Sequence, residues 1–119
     1  LELFKTIMRV AYARNIPKVI SWSESLASSG REAQKSFLEY GLRLLRENLM
    51  LTLDQKKNRL VYLSKEEMDF SSRFHPFISE KNIFSLTDEF NLAYAHIEAN
   101  GNAKIVLLDL GLRIVKLIR

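Results

Sequence analysis

The last twenty residues, NGNAKIVLLDLGLRIVKLIR, constrain the fold more than any other stretch. Read as a helix, Ile105, Leu108, Leu112 and Val115 fall on one side at spacings of three, four and three. Leu107, Leu110, Ile114 and Leu117 repeat that spacing on a second side. Polar positions shrink to Lys104, Asp109, Arg113 and Lys116. A helix this apolar around its circumference is stable in water only when protein surrounds it. It is therefore either the central helix of a bundle or a helix shared with a neighbouring subunit. Periodicity alone leaves both open. A membrane span is excluded, because the aliphatic run Ile105 to Leu108 stops at Asp109, far short of the roughly 20 residues a bilayer needs.

The rest of the chain reads as helices of the same kind. Phe4, Ile7, Met8 and Ala11 make one stripe over Leu1 to Arg14. Asn15 suits a left-handed stop, and Pro17 suits a first helical position. Val19, Trp22 and Leu26 form the buried stripe of a second helix to about Ser28. Ser29-Gly30-Arg31-Glu32 has the form of a capping box opening a third helix, Arg31 to about Leu51. Its face is Phe37, Leu38, Gly41, Leu42, Leu45 and Leu49. Gly41 costs about 1 kcal/mol in a helix interior, and a close helix crossing is the simplest reason to tolerate it.

Residues 54–59 break the pattern as a polar loop, and 60–63 read as an extended segment that could pair with 51–53 in a small hairpin. Ser64-Lys65-Glu66-Glu67 is a second capping box. Its helix, with Met68, Phe70 and Phe74, is interrupted at His75-Pro76. A fifth helix carries Ile83, Leu86, Phe90, Ala93, Tyr94 and Ile97. Asn100-Gly101 ends it, and Asn102 caps the sixth. The expectation is an all-α single domain over 1–119, a bundle of five to six helices. Only four glycines and two prolines argue against an all-β fold. Leu1 is not Met and reads as already within or beginning a helix, so the stretch is expected to be a fragment of something longer.

Chemistry is scarce. Gly30, Gly41, Gly101 and Gly111 form no phosphate loop. The absence of cysteine removes disulfides and cysteine metal sites, and fits a reducing, cytoplasmic compartment. His96-Ile97-Glu98 has the His-x-Glu form of zinc deaminases, but the cysteine ligands cannot exist. His75 has no paired ligand, and Ser28-Ser29 and Ser71-Ser72 have no neighbouring base. The aromatic group Phe70, Phe74, Phe77, Phe84 and Phe90 is expected to be core. Single-strand binding wants aromatics interleaved with cations, and only Arg73 and Lys81 are near in sequence. Leu1 to Arg14, with Glu2, Lys5, Arg9 and Arg14 along its length, does not read as a secretory leader. No enzyme, cofactor, metal, small-molecule substrate or membrane is expected for this stretch.

The net charge of +4 is uneven: +5 over 1–60 and −1 over 61–119. Lys35, Glu39, Arg43 and Glu47 form an i,i+4 ladder, the mark of a solvated helix face. A competing use is a nucleic-acid surface built from Lys35, Arg43 and Arg46 with the loop cations Lys56, Lys57 and Arg59.

Three stretches carry a family resemblance. Asn100 to Leu110 resembles the closing helix of bacterial replicative clamp-loader subunits, where an Asn-x-Asn turn precedes a final leucine-patterned helix. Arg31 to Leu38 is similar to the start of the long helix in their C-terminal domain. Phe77-Ile78, Asn82-Ile83, Glu89-Phe90-Asn91 and Ala93-Tyr94 resemble most the delta-prime subunits of DNA polymerase III. The likeness covers the whole chain, but through helical packing patterns and not through a catalytic signature. It implies an all-helical collar domain at the end of a longer AAA+ type chain. Collar domains of five subunits join in a ring, and the complex loads the sliding clamp on primed DNA with ATP. The partners implied are the other loader subunits, with DNA touched only indirectly; this stretch would be no enzyme, and the whole protein would be a subunit of the DNA polymerase III holoenzyme, a DNA-directed DNA polymerase and nucleotidyltransferase complex. The family's nucleotide, zinc and arginine-finger motifs lie upstream of the collar and match no position here. Leu107, Leu110, Arg113, Ile114 and Leu117 are the residues expected at the subunit contact.

Overall fold

A computed structural model describes residues 1–53 and 63–118. Among these the chain is all-α, six helices with no strand. They are α1 (Glu2–Tyr12), α2 (Ile16–Ala27), α3 (Arg31–Leu53), α4 (Lys65–Phe74), α5 (Ile83–Glu98) and α6 (Ala103–Leu117), with a 3-10 turn His75–Phe77 after α4. α6 packs against α1, α2 and α5, while α3 crosses α5 and supports the 3-10 turn. The core is apolar and closed: Phe4, Ile7, Leu38, Leu45, Leu86 and Phe90 have no exposed surface.

Local chemistry sets the helix ends. After α5, the Gly101 N–H donates to His96 O at 2.7 Å and the Asn100 N–H to Ile97 O at 3.0 Å, with Asn100 left-handed at φ 63°. This satisfies two orphan carbonyls of the helix end. A Cβ at Gly101 would sit 2.7 Å from His96 O, so glycine is required by space. Asn102 then caps α6, its side chain accepting from Ile105 N at 3.2 Å. The same closing pattern ends α1, through Asn15 N–H to Val10 O and Arg14 N–H to Ala11 O.

There the left-handed residue is Arg14, φ 57°, and not Asn15 as its residue type suggests. Asn15 is taken by the next helix, where its side chain accepts from Lys18 N at 3.3 Å. Pro17 consequently stands second in α2 and not first. The box expected at Ser29 is not made either. The Ser29 hydroxyl turns back to Leu26 O at 2.6 Å, and α3 starts after Gly30, whose φ of 93° positions its carbonyl to accept from Gln34 N. Residues 51–53 continue α3 as helix, so no strand forms there. The extended segment expected at 60–62 lies outside the described residues.

Gly41 is where the expected crossing occurs. A Cβ there would come within 2.4 Å of the Phe90 ring, which is fully buried and has nowhere to go. Gly111 does the same between α6 and α2, with a Cβ 2.7 Å from Val19 Cγ1. Trp22 closes this region, its indole N–H donating to Leu3 O at 3.1 Å.

Candidate subunit interface

α6 is enclosed on one side only. Leu107, Leu110 and Ile114 are at most 2% exposed, inside this chain's own core. Three of the five residues expected at a subunit contact are therefore out of reach of a neighbour. The reason is that this side of α6 lies between α2, which Gly111 lets approach closely, and α5, which packs beside Leu110. Leu117 is half-buried and packs on that core. Arg113 is exposed, but its guanidinium is held by Glu89 at 3.6 Å and Asp109 at 3.5 Å.

The other apolar side is only partly covered, with Leu112 and Val115 packed on the edge of the core. Ile105 is 67% exposed, and Leu108, Leu112 and Val115 are half-buried. α2 extends this face. Ile16 and Ile20 are each 38% exposed. α2 and α6 run antiparallel: Val19 meets Gly111, and Ala27 near the end of α2 lines the same cleft as Ala103 at the start of α6. In Val19's frame Ile20 follows by one residue and Ile16 precedes by three. In Gly111's frame Leu112 follows by one and Leu108 precedes by three. At about 100° per residue these offsets are equal, and on antiparallel helices equal offsets from the contact line turn to the same side. Ile16, Ile20, Leu108 and Leu112 thus share one flank, which Ile105 prolongs. Contiguous exposed apolar surface of this kind marks an interaction site more often than an isolated leucine does.

The basic surface is dispersed by its own neighbours. Lys35 lies 2.6 Å from Glu98 on α5 and over the Tyr94 ring at 5.7 Å. The hydrogen bond to Glu98 raises the Lys35 ammonium above its usual value and, reciprocally, lowers the Glu98 carboxyl. Arg43 reaches across to α4, where its Nη2 donates to Glu67 at 2.7 Å. Arg46 is exposed, and Lys56, Lys57 and Arg59 lie outside the described residues. The ladder is also not a simple solvated face, since Glu47 is only 7% exposed. Periodicity could not show this, because the ladder's cations pair with acids on other helices.

Glu67 is the polar hinge between α3 and α4. One carboxylate oxygen accepts from Ser64 N at 2.9 Å, and Ser64 Oγ accepts from Glu67 N at 3.1 Å, so the second capping box is complete. The other oxygen accepts from the Tyr40 hydroxyl at 2.5 Å as well as from Arg43. Burial pushes the carboxyl up, but the Tyr40, Ser64 and Arg43 donors outweigh it and hold Glu67 below its ordinary value. Burial and the Glu67 hydrogen bond together push the Tyr40 hydroxyl well up.

Among the described residues, no group of three or more His, Asp or Glu could hold a metal ion. No described helix is long and apolar enough to cross a membrane. No family model, curated protein or solved structure matches the chain.

Proposed function

We propose that this chain is an assembly domain that docks another protein subunit on the outer side of α6 and the adjoining flank of α2. The observation that carries it is the outward strip Ile105, Leu108 and Leu112, continued by Ile16 and Ile20, on a bundle whose core is otherwise closed. A stable contact on the usual scale buries about 1,600 Å² in total, far more than this strip alone, so surrounding polar residues would form its rim.

The resemblance to delta-prime collars supplies the partner. We take the chain as the collar domain of a replicative clamp-loader subunit within a longer AAA+ type protein, with the partners being helical collars of the other loader subunits. In this role it needs no cofactor and performs no chemistry, and it meets DNA only through the complex. The pairing of Lys35 with Glu98 and of Arg43 with Glu67 disfavours the nucleic-acid alternative, since phosphates would have to displace existing partners.

Ile105→Asp combined with Ile20→Asp tests the proposal by co-purification with the other loader subunits. The expected result is an unchanged circular dichroism spectrum and loss of the complex. A folded variant that still assembles would overturn it. Tight, salt-dependent binding of primed DNA by the chain alone would favour the alternative.

A further inference from the structure

A second surface shares no residue with this strip. α1, α4, the 3-10 turn and the end of α6 enclose a groove of about 350 Å³. Its apolar residues are Met8, Tyr12, Phe70, Phe74, Phe77 and Ile118. Lys5, Arg9 and Arg73 complete the lining, and among the described residues no acidic side chain contributes to it. Of the aromatic cluster expected as core, Phe74 and Phe90 are buried in it, Phe70 and Phe77 are half-buried against it, and Phe84, 75% exposed on α5, lies outside it. Phe70, Phe74 and Phe77 also line one side of this groove. The cations thought absent from its surroundings come from α1, more than sixty residues away in sequence.

Three facts define what fits. First, among the described residues Arg9 and Arg73 have no ion-pair partner, and Lys5 has only Glu2 at 3.6 Å, an 87% exposed carboxylate that solvent screens. The occupant is anionic. Second, the floor is apolar and of small-ligand size, so the occupant also has an apolar body. Third, the ring faces are already used. Phe70 and Phe74 stack at 4.9 Å, Phe74 and Phe77 at 6.2 Å, and Phe4 abuts Phe70 and Phe74 edge-on. Tyr12 meets Phe77 at 5.0 Å, also edge-on. Rings engaged with one another offer mainly their edges, and Met8 and Ile118 add methyl groups, which suit an inserted side chain better than a stacked base. Lys5, Arg9 and Tyr12 follow one another along α1 over about 10 Å, which matches a few residues of peptide.

We propose that this groove docks a short acidic segment of a partner protein. A leucine or phenylalanine of that segment rests against Tyr12, Phe70 and Phe77, over a floor of the buried Met8, Phe74 and Ile118, and flanking carboxylates meet Arg9 and Arg73. Charge supplies orientation and encounter rate, and the apolar anchor supplies the residence time.

Selection of a random short-peptide display library on the full chain tests this. Enriched clones are expected to carry an aromatic or leucine anchor beside Asp and Glu. Their affinity should fall about tenfold in the Arg9→Ala, Arg73→Ala double variant and decline as salt rises. Lys18→Ala, an exposed cation on α2 outside the groove, should leave it unchanged. No enrichment, enrichment of neutral or basic clones, or equal binding by the double variant would each overturn the proposal. So would oligo-dT binding that is tighter than the best peptide and lost in the same double variant. Circular dichroism on every variant separates lost binding from lost fold.

Discussion

The two apolar sides of α6 have the same spacing and nearly the same composition, yet opposite fates. Leu107, Leu110 and Ile114 are sealed, while Ile105 is exposed and Leu108 and Leu112 stay half-buried. The difference is made by what crosses the helix. Gly111 admits α2 to within contact of the α6 backbone, midway between the two sides. α5 packs beside Leu110 and closes that side into the core, while no described helix closes the side of Leu108 and Leu112 in the same way. Leucine content therefore does not distinguish the sealed side from the open one; the helices packed on each side do.

That contrast breaks most visibly at its buried end. Leu107→Ala, which empties a fully enclosed site, should cost about 3 kcal/mol in urea unfolding. A cost under about 1 kcal/mol would mean that side is not enclosed. Gly41→Ala tests the parallel crossing of α3 by α5. Because the new methyl would collide with an immobile Phe90 ring, the loss should be about 2 kcal/mol despite alanine's better helix propensity. A stabilised variant would show the two helices are looser than described.

Glu67→Gln should cost about 1.5 kcal/mol near neutral pH by weakening the Arg43 and Tyr40 contacts. Its sign with pH follows from the lowered carboxyl. That contribution is present above the ordinary carboxylate value of 4.5 and is lost as pH falls through the lower value of the folded state. The gap between parent and variant should thus close on acidification below pH 4.5, and a gap constant with pH would remove the charge from the explanation. Smallest is the stability effect of Ile105→Asp on the outward side, within about 0.5 kcal/mol, checked by the same urea titration.

Helix number, the Ser64 box, the Asn100-Gly101-Asn102 turn and the Gly41 crossing were legible because each is a local rule or a steric veto. Local rules failed where two helices compete for one residue. Asn15 served the start of α2 and not the end of α1, and the Ser29 hydroxyl found Leu26 O before it could cap α3. The candidate surfaces were legible only in part. The apolar strip was visible as one of two equivalent sides, but not which one would remain free. Arg73 was visible beside the aromatics, but Arg9 gave no signal at all, since no periodicity links α1 to α4.

By itself, then, the sequence determined an all-α chain of five to six helices, most of their ends, and a last helix too apolar to stand alone. It did so because propensity, capping and hydrophobic period act within a few residues. Only the tertiary structure decided which leucines are core, which cations keep their charge free, and that three aromatics of α4 and the following turn meet the cations of α1. Those outcomes depend on which helix lies against which, and that is set by close approaches such as Val19 on Gly111 and Phe90 on Gly41, between residues far apart in the chain.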